Sequence, residues 1–182
     1  MSIKNIRLFG DPILATKSET ITVFDKELRT LIQDLNDTMK KTDAAGLAAP
    51  QIGVGLRAFV WDIGDFSGHI INPTIHLGEE IQDGPEGCMS IPNLRFDTKR
   101  AMQVLAKGFN QYGEPIEVLG SAKLARALQH ETDHLDGIFF IDRLSREDKK
   151  LALKQIRQSE WFNEVSKNQM GFNPIIKTSP HN

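Results

Sequence analysis

Apolar residues recur at Leu28, Leu31, Ile32, Leu35 and Met39, the i, i+3, i+4, i+7 spacing of one buried helix face. Thr22 with Asp25 supplies a capping signal ahead of that helix. The period then breaks into a run of small residues, Thr42-Asp43-Ala44-Ala45-Gly46-Leu47-Ala48-Ala49-Pro50-Gln51-Ile52-Gly53. Strand-like pieces follow. Arg57 to Ile63 carries Phe59, Val60 and Trp61, and His69 to Ile75 carries Ile70 and Ile71, with turn residues Gly64-Asp65 and Ser67-Gly68 between them. Glu80 to Ser90 reads as a further strand interrupted at Asp83-Gly84-Pro85. Met102 to Phe109 and Pro115 to Leu119 flank Asn110-Gln111-Tyr112-Gly113 as a hairpin.

Helical spacing returns from Ser121 to Leu135, with Leu124, Ala127, Leu128 and Leu135 on one side and Gly137 as the stop. Ser145 with Asp148 starts a third helix through Leu151, Leu153 and Ile156, ending near Trp161. No period marks Asn168 to Asn182. The pattern predicts an α+β fold: mostly antiparallel sheets packed around the central helix 121–135, with an N-terminal and a C-terminal helix. Residues 1–166 read as one catalytic domain and 167–182 as an irregular tail, since no repeat or linker divides the chain.

Composition narrows the class. A chain of 182 residues suits one domain with a sizeable core. A net charge of −2 provides no field for reading nucleic acid, and no apolar run has the length of a membrane span. No signal peptide precedes the first elements, so a cytoplasmic location is expected. Cys88 is the single cysteine, which rules out an internal disulfide.

The chemistry concentrates in the central helix, at His130-Glu131-Thr132-Asp133-His134. At about 100° per residue the two histidines project roughly 40° apart, one turn above each other, so both imidazoles can face one metal ion. Glu131 falls roughly 60° beyond His134, within reach of a water at such a site without being a ligand. Ala127 lies beneath the pair, where a larger side chain would collide with an ion. Catalytic sites commonly take three protein ligands, and Cys88 in Glu86-Gly87-Cys88-Met89-Ser90 is the third candidate, with Gly87 permitting close backbone approach. His69, His76 and His181 have no ligand-like neighbour and read as ordinary histidines. Around Gly46 the backbone can approach a substrate closely, and the Gln51 amide can stabilise an oxyanion or brace its own loop.

Taken together, Ala44-Ala45-Gly46-Leu47-Ala48-Ala49-Pro50-Gln51, Glu86-Gly87-Cys88-Met89-Ser90 and Gln129-His130-Glu131-Thr132-Asp133-His134 resemble peptide deformylase in order and spacing. The resemblance covers roughly Ile6 to Leu144. It implies removal of the formyl group from N-formylmethionyl nascent polypeptides, with release of formate. By the same resemblance Cys88, His130 and His134 hold Fe2+, for which Zn2+, Ni2+ or Co2+ can substitute. Glu131 moves the proton, and the Gln51 side chain and Met89 N–H hold the formyl oxygen. Ala45, Gly46, Gly87, Lys123 and Ala127 border the substrate, and the resemblance suggests a ribosome-bound chain with the third helix near the ribosome. It also pairs Arg100, rather than Arg95, with Glu86.

Three positions depart from the family pattern. Ala44 stands at a glycine position, Met89 at a leucine, and Lys123 at an apolar site seven residues before His130, where it would shift preference for the residue after methionine. Other readings of the same residues are a zinc peptidase, which normally draws a third His or Glu from further along the chain, a cysteine hydrolase using Cys88, and a metal-binding homologue lacking deformylase activity.

Overall fold

A computed structural model of the protein describes residues 3–169. The first helix, α1, spans Lys26–Thr42, and its N-cap is Asp25, whose carboxylate accepts the Leu28 N–H at 3.0 Å. Thr22 lies three residues earlier in irregular backbone, so the capping signal belongs to Asp25 alone. The helix stops at Asp43 in the left-handed region, φ 53°. Ala44 has no positive φ, and its N–H donates to the Met39 carbonyl while its methyl packs on the core. The methyl at this position is therefore accommodated without strain.

The strands follow in order as β1 (Gly46–Ala48), β2 (Ala58–Ile63), β3 (Phe66–Leu77), β4 (Ile81–Gln82), β5 (Pro85–Cys88), β6 (Ile91–Asp97), β7 (Arg100–Ala101), β8 (Gln103–Phe109) and β9 (Pro115–Ser121). The helices α2 (Ala122–Leu135), α3 (Arg146–Gln158) and α4 (Glu160–Gln169) complete the described chain. The main sheet is antiparallel with order β1-β2-β3-β8-β9, and two small antiparallel pairs, β4 with β7 and β5 with β6, stand beside it.

Strand β2 is buried on both faces, which is why it reads as an apolar run rather than an alternation. Ala58 and Val60 pack with Leu31, Leu35 and Met39 of α1, whereas Phe59 and Trp61 pack with Leu124 and Leu128 of α2. Helix α2 is thus the central element, buried from Gln129 through Leu135. A third cluster joins Ile91 and Leu94 of β6 to Phe139, Phe140, Ala152 and Ile156, and closes the domain behind Cys88. Each fully buried large side chain in these clusters contributes about 1.5–3 kcal/mol of hydrophobic stabilisation.

Several elements differ from the sequence pattern. β3 extends beyond His69–Ile75 and carries an irregularity between Ile71 and Thr74, where Asn72 has φ 50°. Glu80 to Ser90 divides into β4 and β5. β6 has no counterpart in the sequence pattern, because Pro92 and the left-handed Asn93 interrupt its alternation. α3 ends at Gln158, and α4 continues through residues 167–169, inside the stretch assigned to the irregular tail. Residues 170–182, including His181, lie outside the described residues.

Candidate active site

The end of β5 brings Cys88 against α2, where His130 and His134 stand one turn apart with their rings edge to face, 4.9 Å between centroids. Sγ of Cys88 lies 3.1 Å from His134 Nε2, and one donor atom from each of the three residues falls within 4.8 Å of the others. The β5–β6 turn closes on the thiol, with the Ser90 N–H donating to Sγ at 3.4 Å. Gln51 reaches in from the 3-10 turn Ala49–Ile52 that follows β1, its Nε2 donating to Ser90 Oγ at 3.2 Å and standing 3.6 Å from Sγ. Its Oε1 accepts the Ala48 N–H at 2.9 Å. Gln51 therefore braces its own loop and also presents an amide donor to the centre.

Glu86 fixes His130 by accepting from its Nδ1 at 2.7 Å, which leaves Nε2 for the centre. Burial alone would push the Glu86 carboxyl up, but hydrogen bonds from His130 and Arg100 hold it well below the usual carboxylate range. Burial likewise opposes a Cys88 thiolate, and the His134 charge with hydrogen bonds from His130 and His134 brings the thiol well below its ordinary value. His130 is raised well above its ordinary value; its burial is outweighed by Cys88 and Glu86.

Glu131 follows His130 on α2 and interacts electrostatically with His130, His134 and Cys88. Burial pushes its carboxyl up to about 7 against the pull of His130 and His134, and its Oε2 has no hydrogen-bond partner among the described residues. The backbone of Gly46 lies across it: a Cβ on Gly46 would stand 2.5 Å from Glu131 Oε1. Gly87 is hemmed in too, with a Cβ there falling 3.0 Å from the Leu94 carbonyl oxygen across the β5–β6 pair. Ala127 is buried one turn before Glu131, Met89 occupies the turn beside Cys88, and Ala45 is exposed next to Gly46. Lys123 is exposed on the first turn of α2 and is not brought to the centre by any hydrogen bond or ion pair among the described residues.

The supporting groups are less visible in the sequence. Arg100 binds Glu86 through two nitrogens, at 3.1 and 2.6 Å, and binds Asp133 at 2.6 Å. Arg143 forms a second ion pair with Asp133, and Arg126 reaches Glu86 Oε2 at 2.8 Å. Arg95 is exposed on β6. Ser90 and Asp133 lie inside the motif segments without a role of their own being legible there, Arg143 carries no local signal, and Arg126 stands out only as a half-buried charge four residues before His130. His69 is half-buried and accepts the Gln111 N–H at 3.0 Å, and burial lowers its pKa; His76 is exposed.

A thiolate between two imidazoles suits a borderline divalent cation. The Glu131 Oε2, buried without a partner among the described residues, and the approach of Cys88 Sγ to His134 Nε2 within the three-residue donor set mark a centre that fits such a cation. Comparison with known proteins agrees with this geometry. The family described as "Polypeptide deformylase" matches residues 3–150.

This chain belongs to the polypeptide deformylase family.

It is 54% identical to the peptide deformylase of Acidothermus cellulolyticus, over 100% of this chain and 96% of that protein. Among solved structures it resembles a peptide deformylase from Legionella pneumophila, 35% identical with a TM-score of 0.81, covering 93% of this chain and 99% of that one. The peptide deformylase from Thermus thermophilus is 34% identical with a TM-score of 0.82, covering 86% of this chain and 94% of the other. Peptide deformylases are metal-dependent hydrolases that remove N-formyl groups from nascent polypeptides, and the Cys88–His130–His134 group could bind the metal. No helix among the described residues is long and apolar enough to cross a membrane.

Proposed function

We propose that this chain hydrolyses the formyl amide at the N-terminus of nascent polypeptides that begin with N-formylmethionine. The observation that carries the reading is the unpartnered Glu131 Oε2 beside a Cys88–His130–His134 donor set. Those three residues would hold one Fe2+ per chain, with Zn2+, Ni2+ or Co2+ as substitutes; a mixed thiolate and imidazole set fits all four. When bound, the cation supplies Lewis-acid chemistry that makes water acidic near neutral pH and polarises the formyl carbonyl.

The protein's own groups do the rest. Glu131 accepts a proton from the attacking water at Oε2 and later returns it to the leaving amine. Gln51 Nε2 and the Met89 N–H donate to the formyl oxygen as negative charge accumulates on it. Gly46 and Gly87 keep backbone close to the reacting groups, Ala127 leaves room beneath them, and Ala45 borders the extended substrate. Lys123, exposed on the same helix two turns before His130, favours an acidic residue after methionine. The enzyme acts in the cytoplasm on chains emerging from the ribosome, with the α3 end of the domain toward it.

The test is formate release from formyl-Met-Ala-Ser by protein purified anaerobically with iron or nickel, beside Glu131→Ala. Release that disappears in the variant and on chelation is expected. No release from protein carrying one equivalent of metal would overturn the substrate, and cleavage of unformylated peptide would point to a peptidase instead.

A further inference from the structure

Glu86 is buried and its carboxylate is fully engaged. Oε1 accepts from His130 Nδ1 and Arg100 Nη2, and Oε2 accepts from Arg100 Nε and Arg126 Nη1. The two arginines are not equivalent. Arg100 belongs to β7 and divides its guanidinium between Glu86 and Asp133, so it reaches α2 only from outside, across the strand layer. Arg126 belongs to α2, one helical turn before His130, so the Glu86 carboxylate bridges two side chains of the same helix. The same Arg126 Nη1 also donates to the Thr98 carbonyl at 2.7 Å, in the connection between β6 and β7.

We propose that Arg126 is a positioning residue of the metal centre: its Nη1, held between Glu86 Oε2 and the Thr98 carbonyl, sets the carboxylate that aims the His130 ring at Cys88 and His134. The inference rests on the reading of those three residues as ligands. Its physical basis is closure. With Arg126 in place, the angle of Glu86 toward His130 is fixed within α2 itself. Without it, Oε2 keeps only the Arg100 Nε donor, and Arg100 is the one arginine left on the carboxylate among the described residues. A partner hydrogen-bonded to a ligand, as Glu86 is to His130, is commonly worth about 10- to 100-fold in affinity, and Arg126, one hydrogen bond further out, contributes a part of that. Because a single nitrogen makes both contacts, an ammonium at the same place can replace it, whereas an apolar side chain of similar length cannot.

The test is a Co2+ titration followed by the near-ultraviolet thiolate-to-cobalt absorption, with no peptide present. Parent, Arg126→Met, Arg126→Lys, Glu86→Gln and the Arg126→Met/Glu86→Gln double variant are compared after thermal unfolding has shown each to be folded. Glu86→Gln is expected to weaken Co2+ binding about 10- to 100-fold, Arg126→Met to weaken it by about tenfold, and Arg126→Lys to recover most of the Arg126→Met loss. In the Glu86→Gln background, Arg126→Met should add less than about twofold, since its effect runs through Glu86. Unchanged Co2+ affinity in Arg126→Met would overturn the proposal, as would a Lys variant no better than Met. An altered peptide KM with intact Co2+ affinity would overturn it too, by placing Arg126 against the substrate. Failure of the parent itself to bind Co2+ would overturn the metal reading along with it, a result distinct from the other three.

Discussion

The backbone of Gly46 lies directly over the carboxylate of Glu131, so closely that a Cβ would stand 2.5 Å from Oε1 and 2.9 Å from both Cδ and Cγ. Gly46 is thus the wall against which Glu131 is set, in addition to any contact with substrate. Gly46→Ala should displace the carboxylate, because the backbone of β1 is held by its pairing with β2 and the Glu131 side chain is the softer partner. A shift of about 1 Å in a proton-transferring group costs about 100-fold. The expected outcome is a loss of that order in kcat at full metal content, with overpacking lowering stability by about 1–3 kcal/mol. Retained kcat in a folded, metal-loaded Gly46→Ala would remove Gly46 from this role.

Glu131 also carries a pH signature. Its carboxyl rises from an ordinary 4.5 to about 7, first because of burial. A carboxyl raised on folding stabilises the protein below the unfolded value, and that contribution is lost as pH rises through the folded value. In chelated protein, the stability of parent relative to Glu131→Gln should therefore decline between about pH 4.5 and pH 7. A shift of this size corresponds to about 3 kcal/mol across the window. Denaturant unfolding of both proteins at several pH values measures it. A bound divalent cation favours the carboxylate, so metal loading should flatten the difference. A parent-minus-variant difference that does not change with pH in chelated protein would show that the carboxyl is not raised.

Much of this architecture is legible in the sequence. The periodicity of Leu28 to Met39 places α1, and the H-E-x-x-H spacing places both imidazoles on one face, because local helical geometry alone decides those relations. Cys88 is the third candidate by residue type and by its glycine-flanked segment, and the fold places its Sγ 3.1 Å from His134 Nε2. What the chain conceals is non-local. Gly46 and Glu131 are far apart in sequence, so a glycine that reads as room for substrate proves to be packed on a carboxylate. The Arg100–Glu86 pair, expected from the family resemblance, is present, but its extension through Asp133 to Arg143 joins separate segments, and no spacing rule reports such a network. β6 escapes the pattern for a local reason, the left-handed Asn93 that lets the strand bend without a readable alternation.

Arg100 is the centre of that network, buried with its guanidinium divided between Glu86 and Asp133. Removing one partner of a buried ion pair leaves uncompensated charge and costs about 3–5 kcal/mol. Arg100→Met should lower the thermal midpoint by about 10 °C, at a few degrees per kcal/mol for a chain of this size. Arg126 and Arg143 remain on the two carboxylates, so the variant should still fold at moderate temperature. A midpoint essentially unchanged from the parent would mean that these remaining arginines suffice.

Gln51 has two duties that one substitution can separate. Its Oε1 anchors the Ala48 N–H, while its Nε2 faces Ser90 Oγ and Cys88 Sγ. Gln51→Glu preserves the side-chain shape and the anchoring acceptor but removes the donor. If Nε2 stabilises the formyl oxygen as charge develops, the bond matters most in the transition state, and kcat should drop about 100- to 1000-fold with KM changing little. Ser90→Ala withdraws only the acceptor that steadies Nε2, so a loss of about tenfold in kcat is expected, smaller than that for Gln51→Glu. A Gln51→Glu protein with normal kcat and raised KM would show that the amide holds substrate in its ground state only. Metal content measured on the same samples separates both results from a loosened Cys88, since Nε2 and the Ser90 N–H both stand within reach of Sγ.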